Sequence, residues 1–558
     1  MPRQNALANR VALSAVVVVA ALPLLYLAVT QRIEFDGYWN AFVAIQDKWK
    51  KFLAEYHANP HPPLYYLVLR ASLWFGRSHL AYRAPSVLAG LASVYLVGSA
   101  ASRLARSFLW GLLAALAYGL AIPSIVVALE VRGYMLCTFF ILLSYCFLLD
   151  VLTREGPAGT TKLRIAFAAT AALACLADYY SFFYVAAVFG IAVILAVLRP
   201  SGSRGKALLR EAVTFAPVLA VMAFLFRTNA RENARVWGHL RPFYYGQTAG
   251  ESRGGFVLRN LQNDFNLFFP WKVENQTAFL AILAGLLVAG GATLWLMRRL
   301  KEPKNLPAAV TVVATAVMTM ELMLVGLRDK YPFGGDLRHQ FLLFPFLILC
   351  AIALLDRVAA AVPRPVAWAL AGILTVSIAV VGYERFEAYP RVPEILMSGQ
   401  MAKFNQLFPA PAAVYVDSYN LYWFFMHHDD WKWESEGPAR LAPGIEVYRL
   451  TRGDRRMLVF EDTKRWVLEL DDASLYADLT ASMRSESLDA VDVFRIAQQD
   501  QPQTTEEIAE SRKLATTMAA THGVCLQPLS IYGSDEFGEV RAGACDGGEI
   551  TADVGSLH

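Results

Sequence analysis

Charge is sparse in this chain and cysteine sparser: 18% of its 558 residues are Asp, Glu, Lys or Arg, and six are cysteine. Cys137, Cys146, Cys175 and Cys350 fall inside apolar runs, where cysteine behaves as a small buried residue. Cys525 and Cys545 lie in the polar carboxyl-terminal part, and can pair as a disulfide if that part faces an oxidising compartment. No Gly-rich phosphate loop follows a strand, which argues against a nucleotide-binding α/β fold. No Cys/His spacing suits zinc, and no internal repeat or low-complexity tract is present, which argues against zinc modules and solenoids. A small-residue cleavage pattern is also missing after the first apolar segment, Val11 to Thr30. At about 20 residues this segment is expected to be a retained span.

What the chain has in abundance is apolar residues, 56% of the total, far above the globular norm. They come in long runs that stop near Val381. Residues 1–383 carry about 35 Lys and Arg against about 18 Asp and Glu, whereas the remainder has about 16 against about 29. This split fits basic loops at a cytoplasmic face and an ordinary acidic soluble tail. It does not fit nucleic-acid binding.

Arg3 and Arg10 precede the first span, so the positive-inside rule puts the amino terminus in the cytoplasm. Further runs at 85–101, 108–129 and 134–152 alternate with basic turns at Arg103/Arg106 and at 154–164. As one helix, 165–198 would be about 51 Å long, too much for a hydrocarbon core of about 30 Å. Asp178-Tyr179-Tyr180-Ser181 therefore divides it into a hairpin. Runs at 211–226, 277–297, 307–327, 340–356 and 366–383 complete a count of about eleven spans, with the carboxyl terminus outside. Leu64 to Phe75, about 12 apolar residues, is too short to span and is expected to be interfacial or partly re-entrant.

The expected fold is a polytopic α-helical membrane domain, 1–383, with a soluble α/β domain at 384–558. External loops are expected at 31–83 and 227–276. In the tail, 413–416, 446–450 and 457–460 read as strands, 505–522 as a helix, and 419–427 as an aromatic helix or loop.

The stretch Ile33 to Tyr66 stands out. It places Glu34 and Asp36 where the first span meets water, and then His61-Pro62-Pro63-Leu64-Tyr65-Tyr66. A carboxylate beside the bilayer is costly unless it has work to do. Followed by Arg83-Ala-Pro-Ser86 and Glu130-Val-Arg132-Gly-Tyr134, the ordered set resembles the bacterial membrane glycosyltransferases of the GT-C fold. These are relatives of the protein O-mannosyltransferases and of the aminoarabinose transferase that modifies lipid A. The resemblance covers the first ~150 residues well, the topology of the next ~230 loosely, and the tail hardly at all.

The resemblance implies a bacterial plasma-membrane enzyme with a periplasmic tail. Its donor would be a polyprenyl-phosphate sugar, and its acceptor a lipid, polysaccharide or protein hydroxyl. An Asp in the first external loop would act as base, which carries over to Asp36. The family often has Asp-Glu there, whereas this chain has Asp36-Gly37; either Glu34 replaces the second carboxylate or the site uses one.

Residue chemistry adds candidates. His61, Tyr65 and Tyr66 would line a sugar or acceptor pocket, or else start and anchor an interfacial helix. Glu130 and Arg132 would pair at an external turn, with Arg132 touching phosphate or ordering the loop. Arg338, next to Asp336 and His339, is the preferred phosphate ligand, because a guanidinium can hold phosphate bidentately. Arg227, Arg231, Arg235 and Lys272 bracket the second loop and also suit snorkelling to headgroups. Phe243-Tyr244-Tyr245 and Phe268-Phe269-Pro270-Trp271 would cover the cavity or anchor at the interface. His57 and His61 have a helical spacing that Pro60 interrupts, so no metal is indicated; the scheme requires none, and a divalent ion stays compatible with it. The rival functions are a transporter or lipid flippase, and a sensor whose tail binds through His427-His428 and Asp429-Asp430.

Overall fold

The computed structural model describes residues 3–46, 48–58, 61–105, 107–153, 160–198, 201–230, 242–247, 250–269, 273–285, 291, 305–389, 402, 404–406, 408, 412–428, 431–433, 439–465, 468, 472–495, 505–532 and 535–545. They form two compact units. The first comprises residues 1–31 and 54–391, the second residues 32–53 and 392–558. This division differs from the contiguous one expected, because a piece of the first loop is built into the tail unit.

The first unit is a helical bundle. Its long helices are α1 (Arg3–Thr30), α5 (His79–Leu104), α8 (Tyr134–Thr153), α11 (Ser201–Leu225), α14 (Asn305–Gly326), α16 (Leu343–Ala361) and α17 (Arg364–Glu387). Among the described residues these seven are long and apolar enough to cross a membrane. An eighth span arises if α6 (Phe108–Gly119) and α7 (Ile122–Leu129), bent by 56°, count as one. Pro123, in the first turn of α7, suits a helix start at the bend because it has no N–H to contribute. The chain is a polytopic α-helical membrane protein.

The expected hairpin at 165–198 is formed by α9 (Thr161–Ala177) and α10 (Ser181–Val197), each 17 residues, with the Oγ of Ser181 donating to the carbonyl of Asp178 at 2.7 Å in the break. The run at 277–297 is described only over α13 (Gln276–Gly285) and residue 291; the rest lies outside the described residues. The apolar stretch 64–75 forms α4 (Pro63–Ser72) and a 3-10 turn at Leu73–Phe75, too short to span. α4 turns Tyr65, Tyr66 and Leu69 inward. Trp74 and Phe75 are almost fully exposed, as interfacial anchors would be.

The second unit is an α/β domain. Its helices are α2 (Phe35–Ile45), α18 (Ser418–His427), α19 (Ala473–Glu486) and α20 (Thr505–Thr521); α3 (Trp49–Ala58) runs from it into the first unit. Its strands are β1 (Ala413–Asp417), β2 (Lys432–Trp433), β3 (Ala439–Ala442), β4 (Ile445–Arg452), β5 (Arg455–Asp462), β6 (Ala490–Arg495), β7 (Val524–Tyr532) and β8 (Asp535–Ala542). The sheet order is β2-β4-β5-β1-β6-β8-β7, with β3 also paired to β4. β1 is central, parallel to both neighbours and buried at every position, as a strand covered on both faces must be. Tyr415, Phe460, Leu475, Leu479, Val493 and Ala519 belong to its core. Cys525 and Cys545 are disulfide-bonded.

Candidate active site

In the first unit, the ends of α4, α5, α7, α8 and α9 converge with the segment 331–342. Proline starts the first of these: Pro62 is the cap residue of α4 and Pro63 its first residue, which sets His61 just ahead of the helix. Tyr65, one turn in, bonds Ser86 through its hydroxyl at 3.4 Å. Ser86 in turn donates to the carbonyl of Arg132 at 3.2 Å. Burial pushes the phenols of Tyr65 and Tyr66 above their ordinary range.

Arg83 lies one turn before Ser86 on α5. Its Nε donates to the carbonyl of Leu129 at 2.9 Å, and its Nη1 to that of Ala28 at 2.9 Å. The Arg-Ala-Pro-Ser motif thus joins three segments: the end of α1, the end of α7 and the turn that carries Arg132. That turn, 130–133, lies tight against α9. A Cβ on Gly133 would stand 2.3 Å from the carbonyl oxygen of Ala177, so only glycine fits.

Beyond Gly133, Tyr134 is the hub. Arg132 donates through Nη1 to its hydroxyl at 3.2 Å. The His61 ring meets Tyr134 edge-on at 6.2 Å between centroids, and His339 meets it edge-on at the same distance. Tyr180 stacks on Tyr134 at 5.9 Å and donates its hydroxyl to the Tyr134 carbonyl. Nδ1 of His61 lies 3.6 Å from Oδ2 of Asp178, a buried carboxylate in the break between α9 and α10.

The segment before α16 closes the group. Asp336 caps the short helix α15 (Leu337–Gln340) and pairs with Nε of Arg338 at 2.7 Å. Burial alone would raise the Asp336 carboxyl; Arg338 beside it, with a further contribution from Arg132, holds it below the usual carboxylate range. Burial pushes His339 down to about 3, with Arg338 and Arg132 reinforcing and Asp336 opposing. His339 is therefore neutral at physiological pH. Gly334, at φ 76°, lets this segment cross the helix α12 (Arg253–Phe268): a Cβ there would stand 2.5 Å from that of Asn260.

The structure thus gathers His61, Tyr65, Tyr66, Arg132, Arg338 and His339 at one end of the first unit. Glu130 is at the same turn, and its charge is felt at Tyr65. Asp36 and Glu34 belong to the second unit: Glu34 is the exposed residue before α2, and Asp36 sits half-buried in its first turn. Phe243 and Tyr245 pack on 326–335 through backbone bonds, Phe333 N to Phe243 O at 3.0 Å and Tyr245 N to Gly326 O at 3.2 Å. Phe268 stacks on Phe344 at 5.6 Å. Arg227 is described and exposed, while Arg231, Arg235, Pro270, Trp271, Lys272, Asp429, Asp430 and the side chain of His57 lie outside the described residues.

Asp178, Asp336 and Tyr331 were not singled out as site residues from the sequence. Tyr331 packs edge-on to His339 at 5.7 Å. Asp178 carried a usable signal, a lone acid at the break between two apolar runs. Among the described residues, no three His, Cys, Asp or Glu side chains are grouped as a metal site requires.

No family model and no curated protein matches the chain. Solved structures similar to it include ArnT from Cupriavidus metallidurans. The apo form is 17% identical, with a TM-score of 0.42, over 64% of this chain and 62% of that one. The form bound to undecaprenyl phosphate is 18% identical, also at 0.42, over 66% and 63%. The match thus spans less than two thirds of ArnT. An oligosaccharyltransferase from Archaeoglobus fulgidus, in complex with Zn and sulfate, is 12% identical at 0.47, over 94% and 72%. The S. cerevisiae protein O-mannosyltransferase Pmt1-Pmt2 complex, bound to its sugar donor, is 12% identical at 0.32, over 44% and 37%.

Proposed function

We propose that the chain is an integral membrane glycosyltransferase that moves a sugar from a polyprenyl-phosphate donor to an acceptor hydroxyl. The observation that carries this is Tyr134 between the two imidazoles of His61 and His339, with Arg132 bonded to its hydroxyl and Arg338 next to His339 and paired with Asp336, at the end of the bundle where α1 terminates. Two guanidiniums at a span end suit the phosphate of a lipid-linked donor, whose chain stays in the bilayer. A neutral His339 and the phenols supply hydrogen bonds to sugar hydroxyls without adding charge.

In this reaction the Asp36 carboxylate takes the proton of the acceptor hydroxyl as that oxygen attacks the anomeric carbon. The bond from the anomeric carbon to the phosphate oxygen breaks, and its electron pair leaves with the polyprenyl phosphate. Arg338 and Arg132 stabilise the charge that develops there. A single displacement inverts the anomeric centre. Asp36 is assigned because it is the acid after the first span that matches the position of the base in the family the motif order resembles. Glu34 is the second carboxylate of the same segment. The basic turns of the sequence support a tail on the outer side, and the resemblance of the motif order supports a bacterial plasma membrane.

The test is sugar transfer by the purified, lipid-reconstituted protein from a panel of polyprenyl-phosphate sugars to a cell-envelope extract. Wild type is expected to transfer one of them, and Asp36→Asn to lose about 100-fold or more. Equal activity of the variant removes Asp36 as base. Movement of a lipid precursor without transfer would favour a flippase.

A further inference from the structure

The segment that carries Asp36 is too short to stand alone. α2 has 11 residues, fewer than an isolated helix needs in water. Yet Tyr38, Ala41, Phe42, Val43 and Ala44 are buried almost completely. The partner for this face is α18 of the carboxyl-terminal domain. Phe42 lies between Tyr422 and Phe425, with ring centroids 5.3 Å from each. Trp39 stacks on Tyr422 at 5.7 Å and 17°. Tyr38 meets His427 at 6.3 Å. These contacts start two residues, less than one helical turn, beyond Asp36, and the side-chain amide of Asn40 donates to the Asp36 carbonyl at 2.8 Å.

α18 is itself held firmly. Asp417, the last residue of the central strand β1, caps it by accepting from the Asn420 N–H at 2.6 Å. The same carboxylate accepts from the Leu468 N–H at 2.8 Å. Phe425 packs on Tyr448 of β4 at 5.1 Å, and Phe424 on Phe494 of β6 at 5.6 Å. A continuous set of packed rings and capping bonds therefore runs from the middle of the sheet to the first turn of α2.

We infer that the carboxyl-terminal domain serves as the mount of the segment bearing the base, with Tyr422 and Phe425 as positioning residues for Asp36. This rests on the proposed function in two respects, the role of Asp36 and donor binding by Arg132 and Arg338; the mounting itself does not. A side chain that must meet a hydroxyl within hydrogen-bond reach needs a fixed backbone, and a loop between spans has none of its own. The tail supplies it. The residues proposed to hold the donor, Arg132 and Arg338, take no part in this packing, so loosening the mount lowers turnover and spares donor affinity.

The test uses the full-length protein in lipid, with Tyr422→Ala, Tyr422→Phe and Trp39→Ala. The first readout is amide hydrogen exchange of 35–45, with 413–417 as the control for an intact sheet. Tyr422→Ala and Trp39→Ala are expected to speed exchange of 35–45 about 10-fold or more, as a segment freed from its packing does. The control should stay protected, and Tyr422→Phe, which keeps the ring, should behave as wild type. Trp39→Ala is decisive, because it removes a side chain from the segment and leaves the core of the tail untouched. The second readout is kinetic: kcat falls about 10- to 100-fold with the donor KM nearly unchanged, as misplacement of a reacting group predicts. Unchanged exchange of 35–45 in both alanine variants overturns the mount. Faster exchange with unchanged kcat overturns the positioning role. If wild type transfers no sugar, the proposed function fails, and the exchange result still decides the mount.

Discussion

Arg83 donates through Nη1 to the main-chain carbonyl of Gln31 at 2.6 Å, while its Nε reaches the carbonyl of Leu129. Arg83 is 2% exposed, and its guanidinium satisfies carbonyls that two helix ends cannot bond internally. It also fixes where the chain leaves α1 towards Asp36 and where it leaves α7 towards Arg132.

Replacing Arg83 by Met should therefore destabilise the protein by about 3 kcal/mol or more, since several buried carbonyls lose their donor at once. Lys should recover part of this, having one charged centre in place of a fork. Thermal unfolding of the full chain in lipid or detergent checks both. An Arg83→Met variant as stable as wild type would mean that water replaces the guanidinium without loss.

At the candidate phosphate site, Arg338→Gln should weaken binding of a polyprenyl phosphate about 10- to 100-fold, the loss of a charge-assisted, forked contact. Arg338→Lys should lie between that variant and wild type. Calorimetric titration with the lipid phosphate measures it. Binding unchanged in Arg338→Gln would remove this residue as phosphate ligand.

Asp264 gives a pH test outside the spans. It is 5% exposed on α12, and among the described residues neither carboxylate oxygen has a hydrogen-bond partner. Burial raises its pKa well above 3.8. The unfolded chain ionises this group first, so stability falls as pH rises from about 4, by about 1.4 kcal/mol per pH unit until the folded pKa is passed. Asp264→Asn should be more stable than wild type at pH 7.5 and lose that advantage near pH 4. Parallel pH profiles for the two proteins would contradict it.

A second carboxylate behaves alike in the tail. Asp492 on β6 faces Glu539 on β8 across an antiparallel pair, and burial followed by that like charge raises it to about 7. The penalty is absent below about pH 4, grows towards pH 7 and is constant above. Asp492→Asn should therefore raise the unfolding temperature of the tail at pH 8 and leave it unchanged at pH 4. Thermal melts of the intact protein at the two pH values provide the check.

Much of the fold was legible because apolar length and strand period are local properties. The runs at 134–152 and 307–327 are helices at 134–153 and 305–326, and the strand read at 413–416 is the buried strand 413–417. The cluster of His61, Arg132, Arg338 and His339 was legible as separate motifs, and each motif lies where a helix begins or ends. Tyr134, inside one of those motifs, gave no sign of being their hub. Its role depends on edge-on ring contacts from segments 73 and 205 residues away along the chain, which no local pattern encodes.

The sequence by itself determined the membrane bundle, the acidic α/β tail, and which charged and aromatic residues stand at span ends. Burial against lipid length and alternation along a strand leave a one-dimensional record. Tertiary structure alone decided that Asp178 and Asp336 join the two imidazoles and two guanidiniums, and that residues 32–53 belong to the tail. Both depend on which faces meet once the chain has folded back on itself. The apolar face of α2 could have been covered by any helix of the molecule, and the rings of α18 are what cover it.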